Sequence, residues 1–158
     1  MFQWLRTLLG GFRPPQPAGP KRRILAIGPG EESLCGSARW VDGELKVSAA
    51  EAGTLRLFEA PISGLDQCMI TYRYRIKTEA LRSSVYPEMW CRIPGMGEFF
   101  SRGLHLKMRG SNDWPSIQIP FYLKRGQTPD LLKLNLVCEG PAEVRLKEIE
   151  VLATPLAE

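Results

Sequence analysis

The residues best equipped for chemistry in this chain sit in "PEMWCRI". There Glu88, Trp90 and Arg92 alternate with Met89, Cys91 and Ile93. A strand through this run sets an acid, an indole and a guanidinium on one side and apolar groups on the other. A tryptophan on the polar side of a strand suits carbohydrate: the ring takes the apolar face of a pyranose, and carboxylate, amide or guanidinium groups orient its hydroxyls. By the same count Arg73 and Arg75 of "ITYRYRIK", Tyr122 of "SIQIPFYL" and Asn135 of "LLKLNLVC" point outward. They join Trp90 on one concave face if their strands are neighbours in the same sheet. The competing reading covers Trp90 with the leader or a loop and makes it a second small core. Trp114, which follows "GSND" at a strand entrance, is expected to plug the end of the core. Of Phe99 and Phe100, one is expected inside and the other exposed beside a Gly95–Gly97 loop that rims the site.

Catalytic chemistry finds little here. The chain has one histidine, His105, which alternation places outward beside Lys107 and Arg109 with no carboxylate to orient it. Glu31–Glu32 and Glu148–Glu150 occupy ordinary turn or edge positions, and "GPGEES" lacks the lysine and following helix of a phosphate loop. Cys35, Cys68, Cys91 and Cys138 include no C-x-x-C pair, so no zinc site is announced. Asp42, Asp66, Asp113 and Asp130 are scattered, whereas a hard cation needs several oxygens at one point. The expectation is a non-enzyme with no cofactor and no metal. Three of the cysteines fall in strand-like runs, where a free thiol acts as a small hydrophobe, and this favours reduced thiols and a cytoplasmic location.

The net charge of +4 has an address. Arg6, Arg13, Lys21, Arg22 and Arg23 lie in the first 23 residues without an acid, leaving 16 basic against 17 acidic residues in the rest. A nucleic-acid binder carries its excess on the folded surface, so nucleic acid is not expected as a partner. Phe2, Leu5, Leu8, Leu9 and Phe12 lie near one face of a short helix flanked by Trp4. That amphipathic leader, residues 1–13, is too short to span a bilayer and suits the interface of an anionic membrane, with the cations of residues 1–23 facing the headgroups. A frayed terminus, or a helix packed on its own domain or a partner, is the alternative. Residues 14–22, around "PPQPAGP", form a stiff extended linker, and the folded domain spans 23–158.

The elements that must position these groups are strands. Thirteen prolines and fifteen glycines in 158 residues punctuate short apolar runs, the pattern of a turn-rich β protein. Ile70, Tyr72, Tyr74 and Ile76 alternate inward, as do Ile117, Ile119, Phe121 and Leu123, with Pro120 marking an edge or bulge. Leu104, Leu106 and Met108 do the same in "GLHLKMRG", and Leu132, Leu134, Leu136 and Cys138 in "LLKLNLVC". In "EVRLKEIEV" the phase shifts between Leu146 and Ile149, which one extra residue at Lys147 or Glu148 corrects: a β-bulge. With Glu44–Val47, Thr54–Phe58 and Tyr86–Ile93 the total is about eight strands, and outside the leader only "SAAEAG" carries a helix signal. The expected fold is all-β, a two-sheet antiparallel jelly-roll sandwich.

From Asp66 to Leu152 the order of runs resembles the galactose-binding-like superfamily of jelly-roll sandwiches, which includes many carbohydrate-binding modules. The resemblance rests on the long "QCMITYRYRIKTE" strand, "PEMWCRIPG", the "GSNDW" turn, "IQIPFYL", "TPDLLKLNLVCEG" and the closing "AEVRLKEIEVL". It implies a non-catalytic binding module, with carbohydrate as ligand on Trp90, Arg73, Arg75, Arg92, Glu88, Tyr122 and Asn135. The alternative is a membrane-tethered structural or regulatory domain that contacts a protein partner through that face.

Overall fold

A computed structural model describes residues 15–158. The amphipathic leader, residues 1–13, falls outside them. Nine strands are described: β1 (Arg22–Ile27), β2 (Ala38–Val41), β3 (Glu44–Ala49), β4 (Gly53–Pro61), β5 (Cys68–Ile93), β6 (Gly97–Arg102), β7 (Met108–Tyr122), β8 (Leu131–Cys138) and β9 (Ala142–Pro155). All pair antiparallel. The all-β sandwich expected from alternation is present.

One strand organises the molecule. The two runs read separately from the sequence, "ITYRYRIK" and "PEMWCRI", belong to the single 26-residue β5. Its first half lies between β7 and β9, and its second half between β6 and β8. The sheet therefore curls over on itself. One layer is β7–β5–β9, with β3 and β1 sharing the far edge of β9 and β2 paired to β3; the facing layer is β6–β5–β8–β4. Tyr72 and Tyr74 from the first layer and Met89, Cys91, Leu134 and Leu136 from the second fill the space between, all at most 1% exposed. The Tyr72 hydroxyl crosses that space to donate to the Asn135 carbonyl of β8 at 3.4 Å. Burying each large apolar group contributes about 1.5–3 kcal/mol, so the inward residues hold the two layers face to face.

Where the backbone breaks its alternation, the break is local. In β9, Glu150 and Lys147 pair with Arg73 and Arg75, so one extra residue is accommodated, and Glu148 takes φ +50°. That is the bulge the phase shift required, and it lets Val144, Leu146, Ile149 and Val151 all face the core. Asp42 and Gly43, both at positive φ, close the β2–β3 hairpin in the primed-turn conformation that matches strand twist. Pro120 lies in β7, an edge strand that among the described residues pairs with β5 alone. Before β1, Pro17 bridges Leu156, and the Ala18 amide donates to the Pro155 carbonyl at 2.8 Å, so the proline-rich stretch runs along the domain.

Several expectations need correction. "SAAEAG" is the end of β3 and a bend, because Ser48 and Ala49 continue the ladder to Glu143 and Ala142. Leu104–Leu106 form a single 3-10 turn with no buried residue, so "GLHLKMRG" does not alternate into the core and His105 is exposed on that turn. Phe121 and Leu106 pack on the core only partly. Trp114 is half-buried at φ +67° beside a register shift of β7, with the Lys147 ammonium 4.1 Å from its ring centroid; it caps a bulge and does not plug the core. Neither Phe99 nor Phe100 is inside: they are 41% and 49% exposed on β6.

Candidate functional site

The outer face of the β6–β5–β8–β4 layer is built from cross-strand rows, because paired residues share a face. One row reads Arg102–Glu88–Asn135–Arg56 across the four strands, and the next reads Phe100–Trp90–Lys133–Glu59. Together with Thr54 and Glu98 most of these side chains line an open groove of about 420 Å3.

Glu88 is its hub. Only 3% of the residue is exposed, and its carboxylate accepts from the Trp90 indole N–H at 2.8 Å, the Asn135 amide at 2.9 Å and Arg102 Nε at 2.6 Å. Burial alone pushes this carboxyl up. The hydrogen bonds from Asn135, Arg102 and Trp90, with the charge of Arg102, more than offset it and hold the group below the usual glutamate range. The anion in turn fixes the indole and the amide in place. Asn135 is 4% exposed, and its Oδ1 has no hydrogen-bond partner among the described residues. An acceptor sealed from solvent in that condition is a local cost to stability.

Above the hub lie rings. Trp90 and Phe100 pack with centroids 5.1 Å apart at 50°, and the Arg102 guanidinium sits 4.1 Å from the Phe100 centroid. Lys133 pairs with Glu98 at 2.7 Å on the flank, and Arg56 pairs with Glu59 on the far rim. The face thus offers partly exposed aromatic rings with donors and acceptors of both charges, while the Asn135 oxygen lies sealed beneath them.

The residues expected from the sequence fall in three places. Glu88, Trp90 and Asn135 meet in the groove. Arg92 lies one row beyond Trp90 and is held by Asp130 in two hydrogen bonds of 2.8 and 3.2 Å. Arg73 and Arg75 do not join them. They occupy the first half of β5, in the facing layer, so their outward side is the opposite side of the sandwich. There they pair with Glu150 and Glu148 and line a cleft of about 230 Å3 with Ser116. Tyr122 is 44% exposed and lines a third hollow, of about 610 Å3, at the end where Pro15 and Leu156–Glu158 meet. The physical reason is the curl of β5: the outward residues of one strand share a surface only while the strand remains in one layer, and β5 enters both. Arg102, Lys133 and Phe100 were missed as site residues. Lys133 was legible, because it shares the outward parity of Asn135. Arg102 and Phe100 were not, because "GEFFSR" carries no alternation to identify β6.

Among the described residues no group of three or more His, Cys, Asp or Glu side chains is placed to hold a metal ion. All four cysteines are free thiols, with Cys68, Cys91 and Cys138 buried. Burial pushes Cys91 up to about 12 and Cys138 up to about 11.

No protein-family model matches the chain, and no curated protein matches it. Solved structures do. A xylan-binding domain, CBM22-1 of Paenibacillus barcinonensis Xyn10C, superposes with TM-score 0.57 and 13% identity over 89% of this chain and 99% of that one. A structure of infectious bursal disease virus, Gx strain, superposes with TM-score 0.56 and 11% identity over 87% of this chain and 33% of the viral one. The Stig cyclase Fisc from Fischerella sp. TAU gives TM-score 0.52 and 14% identity over 90% of this chain and 81% of that one. The likeness is one of fold: an antiparallel β-sandwich of the jelly-roll type.

Proposed function

We propose that this domain is a non-catalytic carbohydrate-binding module, and that the glycan lies in the groove over Trp90 and Phe100. The observation that carries the reading is the Glu88 hub. It spends a buried carboxylate on holding an indole and an amide in fixed orientation at the floor of an open groove. The rings supply the apolar platform, while Arg102, Lys133 and Glu98 stand within the same groove to orient further hydroxyls. The resemblance in fold to a xylan-binding domain supports the choice of ligand class and makes xylan the first polysaccharide to try. Arg73, Arg75 and Tyr122 are no part of this site.

The test is retardation in native gels cast with soluble polysaccharides, xylan first, followed by a glycan array. Wild-type protein should be retarded. Trp90→Ala and Phe100→Ala should weaken binding by about thirtyfold, the loss expected when a hot-spot aromatic is truncated. Phe100→Ala, at an exposed ring, should leave the melting temperature unchanged and so keeps the test sound if Trp90→Ala melts early. A blank array with no retardation on any polysaccharide sinks the proposal, as does unchanged affinity in both variants.

A further inference from the structure

Four of the large exposed hydrophobic side chains cluster in nine residues: Met96 at 53%, Phe99 at 41%, Phe100 at 49% and Leu104 at 56% exposure. They lie on and beside β6, an edge strand that among the described residues pairs with β5 alone. Edge strands are usually blunted against pairing with another chain, and the other edges here follow that rule. β4 has a register shift at Arg56–Phe58 and ends in Pro61; β7 contains Pro115 and Pro120 and three register shifts against β5; β1 has a register shift at Arg23–Leu25; β2 is four residues long. β6 has no shift, no proline and an unbroken six-residue ladder.

Its sequence is also self-complementary. Taken antiparallel to itself about Phe100, Glu98 falls opposite Arg102 and Phe100 opposite itself, with Met96 in the hairpin turn before β6 and Leu104 in the 3-10 turn after it flanking the two ends. Arg102, Phe100 and Glu98 share the outer face with Glu88, Trp90 and Arg92, their partners in β5. Each copy therefore presents acid, ring and base in the order that meets base, ring and acid in the other. Two-fold symmetry requires just such a patch, in which residue i meets j and j meets i. The two charges that would deter pairing with a like-charged edge here favour pairing with the same edge.

We propose that β6 is the seam of a two-fold symmetric dimer of this chain, in which two β6 strands pair antiparallel about Phe100 and the β6–β5–β8–β4 layers of two copies become one eight-stranded sheet. Glu98 and Arg102, held within each copy by Lys133 and Glu88, face each other twice across the seam, the two Phe100 rings meet at its centre, and Met96 and Leu104 cover its ends. The inference stands on β6 alone and does not depend on the ligand of the groove. It has a consequence for the groove all the same: the rows containing Trp90 are brought end to end, with three strand spacings, about 14 Å, between the Trp90 positions of the two copies.

Sedimentation velocity across a concentration series reads the outcome. Wild-type protein should shift from the mass of one chain to twice that mass as concentration rises. Met96 and Leu104 lie outside the groove, so variants there test the seam alone. M96K/L104K replaces the apolar cover at each end of the seam with two cations, and the species of doubled mass should be lost. M96K/L104E places opposite charges at each end, and the doubled mass should return. Both variants leave the groove residues in place and should each still be retarded by polysaccharide, the dimeric one the more strongly by avidity, which separates failure of the seam from failure of the groove. A wild-type chain that stays at single mass up to its solubility limit overturns the proposal. So does a dimer that survives M96K/L104K, because its interface then lies on another edge or on a different face.

Discussion

Glu88 shows how much one residue can organise when the strands on either side bring it donors. Its carboxyl is held below the ordinary glutamate range, burial opposing and the Asn135, Arg102 and Trp90 hydrogen bonds prevailing. A depressed folded-state pKa contributes stability above the unfolded value and loses it as pH falls through the folded value. Melting temperature should therefore be flat near neutrality and begin to fall once pH drops below the usual glutamate range. Indole fluorescence should change in the same window as the Trp90 N–H loses its acceptor. Glu88→Gln should flatten that acid limb. Glu88→Ala should cost about 3 kcal/mol in urea unfolding, since it leaves the Arg102 guanidinium, the Asn135 amide and the Trp90 indole without their common partner. Equal stability of Glu88→Ala and wild type would deny the residue this role. At this scale the sequence was informative in part. The alternation of Glu88, Trp90 and Arg92 against Met89, Cys91 and Ile93 set their side of the strand correctly. It could not show that the indole N–H is spent on a carboxylate two residues away, because that depends on a side-chain rotamer and on Asn135, 47 positions distant.

Among the elements, β9 gives the sharpest case of a physical constraint written in the sequence. A period-two pattern that changes phase must either expose half of its apolar residues or insert one residue, and the chain inserts Glu148 at φ +50°. A β-branched side chain is poorly tolerated at that backbone conformation, whereas glycine is at ease there. Glu148→Val should destabilise by about 1–3 kcal/mol by chemical unfolding, while Glu148→Gly should be neutral or stabilising despite losing the exposed contact with Arg75, worth at most about 1 kcal/mol. If both variants unfold at the same denaturant concentration, backbone strain is not what distinguishes the position. The strand β6 is the opposite case. "GEFFSR" contains adjacent phenylalanines and no alternation, so nothing in its local pattern marks it as a strand. Its register is imposed by β5 through a hairpin turn at Pro94–Met96, closed by the Met96 amide on the Ile93 carbonyl at 2.9 Å.

At the scale of the whole molecule, the closed core makes a prediction about reactivity. Cys68, Cys91 and Cys138 lie within the core at 5%, 0% and 2% exposure, while Cys35 is only partly covered. The thiolate is the reactive form, and burial disfavours it. A maleimide-type probe should label one thiol in the native protein, at Cys35, and four after unfolding; rapid native labelling of Cys91 would mean that the two layers part far more readily than their packing implies. The sequence by itself determined the fold class, the inward set of most strands and the bulge in β9, because those follow from a period of two read along one stretch of chain. It also identified Trp90 as an aromatic residue out of place. Only the tertiary structure decided which outward residues share a surface. Parity along a strand says in or out, but it is silent on which layer the strand has entered. β5 enters both, and so it carries Arg73 and Arg75 to one side of the sandwich and Glu88 and Trp90 to the other.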